Sequence, residues 1–356
     1  MKQRVIIADI ASIKKDNKIF RHYGKVAKMY CKMLNEQYAT SIAGGPVYKA
    51  DFSGEQLFLL PYDFDVESFK TRKGLLEFKL RSIWNGIKLF QKEKKSVVIC
   101  QPYSFVSWAI AILFASRKTK IYLIEYKNEL NKKINAFCYR FIKGKISGVL
   151  CPNEEGGMAY QVPYVVVPDY IYDNDRSIQH IQEQKYDFGV VGIMSDGKDI
   201  YDVVNTFRNT EYSVIIAGYF QDEAKYQKCM ERKTENITVI NKYLSNEEYN
   251  SILDSIKYVI LPYTENYKNS SSGVIYDVLF HGKPVITKNF ENFYFVLGQN
   301  VGLLYENSLV EINFEKLFDS NFYEQMQKQI VNYLLENQKS AERIRQFIDD
   351  RNKNEN

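Results

Sequence analysis

Short runs of β-branched and aromatic residues alternate with helical segments along most of this chain, and that alternation strongly restricts its fold. The strand candidates in the first half are 4–10, 38–43, 57–60, 96–101, 120–126 and 148–152. Helical patterns lie between most of them, at about 24–36, 67–91, 105–116 and 129–143. Strands that alternate with helices predict parallel strands joined by helical crossovers, which is a doubly wound arrangement.

A second series of the same kind starts at Asp187. Its strand candidates are 188–192, 212–218, 238–241, 258–261 and 284–287, with helices near 198–208, 246–256 and 272–281. Two such series in 356 residues predict two domains of ordinary size. We therefore predict an α/β protein whose two doubly wound, Rossmann-like domains face each other across a cleft, with ligands at the carboxyl ends of the strands. The predicted parts are a first domain at 1–167, a polar linker at 168–185, a second domain at 186–310 and C-terminal helices at 311–356.

Composition favours a well-cored protein of the cytosol. The chain is 45% hydrophobic and 26% charged, and a strand follows Met1 with no signal-peptide pattern. Its most apolar segment, 104–116, is shorter than the roughly 20 residues that cross a bilayer, so we interpret it as a buried helix. The five cysteines are scattered and include no Cys-x-x-Cys pair, which argues for reduced thiols and against a zinc site or a disulfide scaffold.

Charge is distributed unevenly along the chain. Residues 1–165 include 28 basic and 14 acidic side chains, whereas the remainder includes 20 basic and 29 acidic ones. A basic first half predicts contact with an anionic surface or substrate.

The stretch from Tyr258 to Val285 predicts a strand, a Ser/Gly loop, a helix and a second strand. The helix opens near Ser272 and Gly273, so unpaired backbone N–H groups and the positive end of the helix dipole suit a phosphate there. Asp277 lies four residues past Gly273, about one turn on, and can face the same ligand. A diphosphate with a ribose beside it fits both features.

These residues resemble the nucleotide-sugar site of GT-B glycosyltransferases, in particular the large retaining, family 4-like group of polysaccharide biosynthesis. Gly282-Lys283-Pro284-Val285 matches the signature that ends this site, and Leu261-Pro262-Tyr263 stands for its strand end. The two glutamates of the family fall on Asn269 and Asp277, one neutralised and one shortened. The resemblance implies that Asp277 holds the ribose of the donor. It also implies a set of neighbouring donor-binding residues: Asn269, Ser271, Ser272, Gly273 and Val274.

The family places an Arg and a Lys in the first turn of its second domain, where both neutralise the donor diphosphate. Here the turn opens at Gly192, Lys198 matches the Lys, and Met194 or Ser195 occupies the place of the Arg. The family holds the nucleotide base after the third strand, and the residues at that place are Tyr243 and Leu244.

The resemblance implies that the first domain holds the acceptor and that the C-terminal helices, 311–356, pack back on this domain. His22 opens the first helix, where the family has a Gly-Gly loop, and it could exchange a proton near neutral pH. Glu125 stands near the position of a His that touches the donor sugar in the family. The predicted catalytic residues are thus Lys198, Glu125 and His22, although a structural or solvated role is the ordinary alternative for each. Phosphate binding through amides and a Lys predicts that no metal ion is needed.

Two helical stripes of apolar residues are accompanied by many lysines and arginines. The stripes consist of Leu76, Leu80, Ile83, Trp84, Ile87 and Phe90, and of Ile134, Phe137 and Phe141. Their helical spacing predicts core faces with solvated charges at the flanks. Basic amphipathic helices also dock on anionic lipid, so contact with the inner face of a membrane is an open alternative. No RNA- or DNA-binding motif is present, and we do not expect a nucleic-acid partner.

The resulting prediction is a glycosyltransferase that moves a sugar from a nucleoside-diphosphate-sugar donor to a glycan or lipid-linked glycan, with retention. One alternative is a GT-B epimerase or phosphorylase. Another is a catalytically degenerate donor-binding subunit that supports a partner transferase, because the Arg and one Glu are replaced.

Overall fold

A computed structural model of the chain describes residues 2–15, 17–19, 23–52, 56–101, 104–167, 184–268 and 272–353. The chain divides into two compact units. The first unit comprises Met1–Tyr170 and Lys339–Asn356, and the second comprises Ile171–Gln338. Most of the predicted linker, 168–183, lies outside the described residues.

The first unit is built on a seven-stranded parallel sheet. In chain order, the strands of the whole unit are β1 (Arg4–Ala8), β2 (Ile13–Lys15), β3 (Lys18–Ile19), β4 (Ala39–Gly44), β5 (Leu57–Leu59), β6 (Phe64–Asp65), β7 (Val97–Cys100), β8 (Lys120–Ile124), β9 (Ile146–Cys151) and β10 (Tyr164–Val166). The main sheet has the order β10-β9-β8-β7-β1-β4-β5, while β3, β2 and β6 form a small separate sheet. Its helices are α1 (Tyr23–Leu34), α2 (Arg72–Lys92), α3 (Phe105–Leu113), α4 (Lys133–Ile142) and α5 (Glu154–Met158), joined by the last helix of the chain.

The second unit is built on a six-stranded parallel sheet. Its elements in chain order are β11 (Tyr186–Val191), α6 (Ile200–Phe207), β12 (Val214–Gly218), α7 (Glu223–Arg232), β13 (Ile237–Asn241), α8 (Asn246–Asp254), β14 (Ile256–Leu261), α9 (Gly273–Phe280), β15 (Val285–Lys288), α10 (Tyr294–Gly298), β16 (Gly302–Tyr305), α11 (Phe314–Leu317) and α12 (Ser320–Gln338). The sheet order is β13-β12-β11-β14-β15-β16. The last helix, α13 (Ser340–Lys353), returns to the first unit.

The predicted doubly wound sheets are confirmed, because every pairing within the two large sheets is parallel. Strands such as β7 and β12 are buried along their whole length, as expected for sheets covered by helices on both faces. The short strands β10 and β16 and the small sheet were not predicted, since two to four residues leave little periodicity to detect.

The prediction for the segment 311–338 is wrong. This segment was predicted to join the other C-terminal helices on the first domain, but it belongs to the second unit. Met326, Ile330 and Leu334 of α12 are buried in the cores of that unit, and the Tyr258 hydroxyl donates to the Leu317 carbonyl at 2.7 Å. These contacts hold α11 and α12 against the second sheet.

The two basic stripes require a second correction. Leu76, Leu80 and Trp84 were predicted to face the core, but they are exposed, and Phe90 alone of the α2 stripe is fully buried. The buried face of α2 consists of Phe78, Ser82, Asn85, Gly86, Leu89 and Phe90. Small and polar residues on this face let a neighbouring helix approach closely, so hydrophobic periodicity identified the wrong side.

No helix within the described ranges combines the length and the apolar character that a membrane span would need.

Candidate functional site

The order of strands in the second sheet reverses between β11 and β14. From β11 the chain runs outward through β12 to β13, and it then returns to β14 and continues through β15 to β16 on the other side. In open parallel sheets, ligands bind at the carboxyl ends of the strands at such a reversal. Here those ends are Val191 of β11 and Leu261 of β14.

The two loops that leave these strands are tied to each other. Lys198, after β11, and Tyr263, after β14, form an antiparallel bridge. The Thr264 amide donates to the Gly197 carbonyl at 3.0 Å, and the Thr264 hydroxyl donates to the Asp196 carbonyl at 3.1 Å. The two loops at the strand reversal are therefore hydrogen-bonded into one connected unit.

Lys198 is almost completely buried at the carboxyl end of β11. Its side chain is 3% exposed, and its Nζ donates to the Val191 carbonyl at 2.6 Å. Burial lowers the pKa of its ammonium to about 8. Lys198 is thus mostly protonated at neutral pH, and an anion beside the ammonium would raise this pKa again.

Glycines let the loops after β11 and β12 approach each other. Gly192 has a φ of +94°, a left-handed conformation that favours glycine. A Cβ at Gly192 would lie 3.7 Å from the Lys198 Nζ, which places that ammonium next to the backbone at this turn. At Gly218, with a φ of +147°, a Cβ would lie 1.7 Å from the Gly192 carbonyl oxygen, so a side chain is excluded there.

The N-terminus of α9 begins at the predicted Ser/Gly turn. Ser272 is 5% exposed, and its hydroxyl bonds to the Tyr263 hydroxyl. Among the described residues, the Ser272 side chain makes no capping hydrogen bond to α9, and the first turn of α9 includes no acidic residue. The positive end of this helix is therefore not neutralised by its own cap, which favours an anion there.

Asp277 lies one turn into α9, in line with Gly273. Gly273, Val274 and Asp277 are partly exposed, whereas Ile275 and Val278 are buried. Asp277 also acts on Tyr263, since its charge contributes to the raised pKa of that phenol, after the larger effect of burial. The carboxylate thus lies on the open side of α9, in the electrostatic range of the Tyr263 and Ser272 pair.

An aromatic pair stands at the carboxyl ends of β12 and β13. The Tyr219 and Tyr243 rings stack with their centroids 4.1 Å apart and their planes at 16°. Tyr243 is 58% exposed, whereas Leu244 is partly buried against the core. The Asn241 side chain accepts from the Phe220 amide at 3.0 Å and so holds the loop that presents Tyr219.

The predicted place of the missing Arg is Met194 or Ser195. Met194 is fully buried in the core, and the Ser195 hydroxyl accepts from the Gly197 amide at 3.3 Å. The exposed residues of the 192–198 turn are Ile193 and Asp196. Lys225 of α7 does not replace the Arg, because its Nζ donates to the carbonyls of Ser195 and Lys198, each at 3.0 Å.

Three predicted site residues, His22, Asn269 and Ser271, lie outside the described residues. Glu125 follows β8 in the first unit and is 1% exposed. Its carboxylate accepts from the amides of Lys127 and Glu129, at 2.6 and 3.1 Å, and from the Tyr160 hydroxyl. Burial raises the pKa of this carboxyl. Glu125 therefore anchors its loop, and its catalytic role stays a prediction.

In the described part of the chain, no group of three or more His, Cys, Asp or Glu side chains is arranged to hold a metal ion. The Lys198 ammonium, the Lys225 ammonium and the N-terminus of α9 are positive groups at the strand reversal. Together they suit a diphosphate better than a cation.

Comparisons with known proteins agree with this geometry at the level of fold. No protein-family model matches the chain, and no curated protein matches it. Solved structures do match over nearly the whole length. The α,α-trehalose-phosphate synthase (UDP-forming) of Burkholderia vietnamiensis has a TM-score of 0.69 and 8% identity, covering 99% of this chain and 98% of that one. This chain has the GT-B fold.

Two further solved structures are similar. Anabaena HepE, solved in complex with UDP-glucose, has a TM-score of 0.62 and 10% identity, covering 96% of this chain and 98% of that one. A putative UDP-N-acetylglucosamine 2-epimerase from Listeria monocytogenes has a TM-score of 0.58 and 12% identity, covering 96% of both chains. The structural similarity establishes the fold, and the activity is argued from the site.

Several residues of the site were not singled out from the sequence as site residues. Tyr219 directly follows β12, and Tyr263 is the second residue after β14. Their positions at strand ends were therefore the available signal. Lys225 offered none, because its role depends on α7 lying beside the loop after β11.

Proposed function

We propose that this protein is a glycosyltransferase that takes its sugar from a uridine-diphosphate-sugar donor. The observation that carries the proposal is the pairing, at the strand reversal of the second sheet, of the buried Lys198 ammonium with the α9 N-terminus that Ser272 leaves without a side-chain cap. Both favour a diphosphate. The similar Burkholderia and Listeria proteins are named for UDP or a UDP-sugar, and HepE was solved with UDP-glucose, which supports uridine as the nucleoside.

The other donor groups fit residues around this centre. Asp277 on the open side of α9 would accept hydrogen bonds from the ribose hydroxyls. The exposed Tyr243, backed by Tyr219, offers a flat apolar surface for the uracil ring. Gly192 lets the backbone approach the donor without a side chain.

In the proposed step, the bond between C1 of the sugar and the β-phosphate oxygen breaks, and its electron pair stays on the departing UDP. An acceptor hydroxyl oxygen bonds to C1, and its proton passes to a phosphate oxygen. Lys198 and the α9 amides stabilise the charge that grows on the diphosphate, which lowers the barrier. Positioning of the two substrates supplies much of the remaining rate.

The acceptor in this proposal is a glycan or lipid-linked glycan of cell-surface polysaccharide biosynthesis, and the transfer occurs with retention in the cytoplasm. The match of 282–285 to the retaining, family 4-like signature supports these finer statements. His22, Asn269 and Ser271 would complete the site as the resemblance implies.

Calorimetric titration with UDP and GDP tests the donor site. We expect UDP to bind, and the affinity to fall about tenfold from about pH 7 to about pH 9, because Lys198, with a pKa of about 8, loses its charge over this range. The Lys198→Met variant should bind weakly and lose the pH dependence. Lys283→Met is the matched control, because Lys283 also has a pKa lowered to about 8 by burial but donates to the Asp254 carbonyl. If UDP does not bind, or if Lys198→Met binds as the unmodified protein does, the donor site is not here.

Product analysis with a panel of UDP-sugars separates the activities. Transfer to a glycan or lipid extract that is lost in Lys198→Met and Asp277→Asn supports the proposal. The similarity to the Listeria epimerase favours one second candidate, which would release an epimerised sugar without any acceptor. Binding without turnover, across all donors and acceptors, would indicate a subunit that has lost catalysis, consistent with Met194 or Ser195 at the place of the Arg.

A further inference from the structure

Three neighbouring helices of the first unit expose an unusual number of large apolar side chains. We call this surface the α2–α4 face and define it by its exposed apolar residues: Leu76, Leu80, Trp84, Leu113, Phe114, Ile134, Phe137 and Phe141. Their exposed fractions lie between 45% for Trp84 and 63% for Phe141. Single exposed apolar residues are ordinary, but clusters on adjacent helices mark a surface that contacts another apolar phase.

The packing of the helices places these residues side by side. α3 contacts both α2 and α4. At the first contact Gly86 lies against Ala111, so that an added Cβ would come within 2.5 Å of the Ala111 Cβ. At the second, the Phe105 and Tyr139 rings lie 6.4 Å apart. Because the inner residues set this close packing, the outer residues of all three helices share one side of the unit.

The exposed apolar residues of α2 and α4 recur at helical spacing and are not scattered over the helices. Leu76, Leu80 and Trp84 are spaced four residues apart on α2, while Phe137 and Phe141 are four apart on α4. The Phe137 and Phe141 rings contact edge to face, with centroids 5.2 Å apart, and both remain more than half exposed. Residues at this spacing lie along one side of a helix.

The charge around this apolar surface is predominantly positive. The three helices contain eight Lys or Arg residues and a single acidic residue, Glu77, which pairs with Arg81. The Lys88 ammonium lies over the Trp84 ring, 4.8 Å from its centroid, so one cation is adjacent to the apolar stripe itself. Lys73 and Lys133 are exposed in the first turns of α2 and α4.

We propose that the α2–α4 face docks on the surface of an anionic lipid bilayer, with its apolar side chains in the headgroup region and its lysines against the lipid phosphates. Exposed Leu, Phe and Trp side chains partition into that region, and Lys and Arg add attraction to anionic lipid. The excess of cations on this face argues against a second copy of the chain as the occupant, because two such faces would repel each other. The surface belongs to the first unit, and it docks whether or not the second unit binds a nucleotide sugar.

Flotation of the full chain with vesicles tests this proposal. We expect binding to vesicles that mix phosphatidylglycerol with phosphatidylcholine, weaker binding at high salt, and little binding to phosphatidylcholine alone. The Leu80→Ser/Phe137→Ser variant should bind about tenfold more weakly, since two apolar side chains no longer leave water. Lys73→Gln and Lys133→Gln should each weaken binding about fivefold. These side chains are already exposed, so their replacement leaves the core unchanged.

Matched controls come from α12 of the second unit. Leu335 is 52% exposed and Lys328 is exposed, so Leu335→Ser and Lys328→Gln make the same chemical changes elsewhere. We expect both controls to bind vesicles as the unmodified chain does. Equal losses in the controls and in the face variants would overturn the proposal, as would a failure of the unmodified chain to bind anionic vesicles. Self-association that Leu80→Ser/Phe137→Ser abolishes, without vesicle binding, would instead assign the face to a second copy.

Tryptophan fluorescence supplies an independent readout. The chain has two tryptophans, of which Trp84 lies on the face and Trp108 is 3% exposed. Binding to anionic vesicles should shift the emission to shorter wavelength as Trp84 leaves water, and Trp84→Phe should bind without this shift. An unchanged emission on binding would show that another surface makes the contact.

Discussion

At the residue scale, buried acidic side chains at strand ends serve the loops around them. Asp9 directly follows β1 and is 2% exposed. It accepts hydrogen bonds from the Tyr48 hydroxyl at 2.8 Å and from the Ala11 amide at 3.0 Å. Glu125 has the same relation to the loop after β8. Both carboxylates accept hydrogen bonds from amides of their own loops and from a distant tyrosine hydroxyl, Tyr48 for Asp9 and Tyr160 for Glu125.

Asp9 predicts a specific pH dependence of stability. Burial raises its pKa from 3.8 to about 6, so the folded protein binds the proton more tightly than the unfolded chain. The stabilising contribution of protonated Asp9 to the free energy of unfolding is therefore complete below about pH 4, and it is lost as the pH rises through 6. We expect Asp9→Asn to gain about 2–3 kcal/mol relative to the unmodified protein between about pH 4 and pH 7.

Urea unfolding followed by tryptophan emission measures this effect, since both tryptophans lie in the first unit. Asp51→Asn, at an exposed position, is the control and should follow the unmodified protein at every pH. If the free energies of unfolding of Asp9→Asn and of the unmodified protein change with pH in the same way, Asp9 does not titrate in this range.

At the element scale, α2 shows how a helix can bury its less hydrophobic side. Its inner face includes Ser82, Asn85 and Gly86, and the Asn85 amide group donates to the carbonyls of Ile10 and Tyr62, both at 2.9 Å. These residues satisfy loop carbonyls and admit α3 at short range. Leu76, Leu80 and Trp84 consequently remain on the outside.

Gly86 is the position where this packing is most sensitive. We expect Gly86→Ala to lower the free energy of unfolding by about 1–2 kcal/mol, because overpacking against Ala111 outweighs the better helix propensity of alanine. Gly144→Ala is the control, since a Cβ there meets no atom of the described chain within 4 Å. The double variant Gly86→Ala/Ala111→Gly should recover part of the loss in a double-mutant cycle. Equal stabilities of Gly86→Ala and Gly144→Ala would contradict this account of the helix contact.

At the scale of the whole molecule, the chain completes its first unit with its last helix. Ile344 and Ile348 of α13 are fully buried, and the Phe347 ring lies 5.7 Å from that of Tyr122 on β8. The Tyr38 hydroxyl also donates to the Asp349 carboxylate at 2.5 Å. Residues more than 300 positions apart in the sequence thus stabilise one core.

Ile348→Ala tests this dependence. We expect it to destabilise the first unit by about 2–5 kcal/mol, as for other large-to-small changes in cores. The tryptophan unfolding transition should move to lower urea concentration, whereas Gln346→Ala, at an exposed position of the same helix, should leave it in place. A transition that does not move in Ile348→Ala would show that the first unit is stable without this contact.

Local patterns in the sequence determined the α/β class, the parallel sheets and the strand–loop–helix–strand unit of 258–285, because each depends on neighbouring residues and short-range periodicity. The resemblance of the turn after β11 to a known family singled out Lys198. Tertiary packing alone decided that Tyr263 bonds to Ser272, that Lys225 supports the loop after β11, and that α12 and α13 lie in different units. It also decided which side of α2 meets water, because burial depends on the neighbours that a helix acquires, and those neighbours are distant in the sequence.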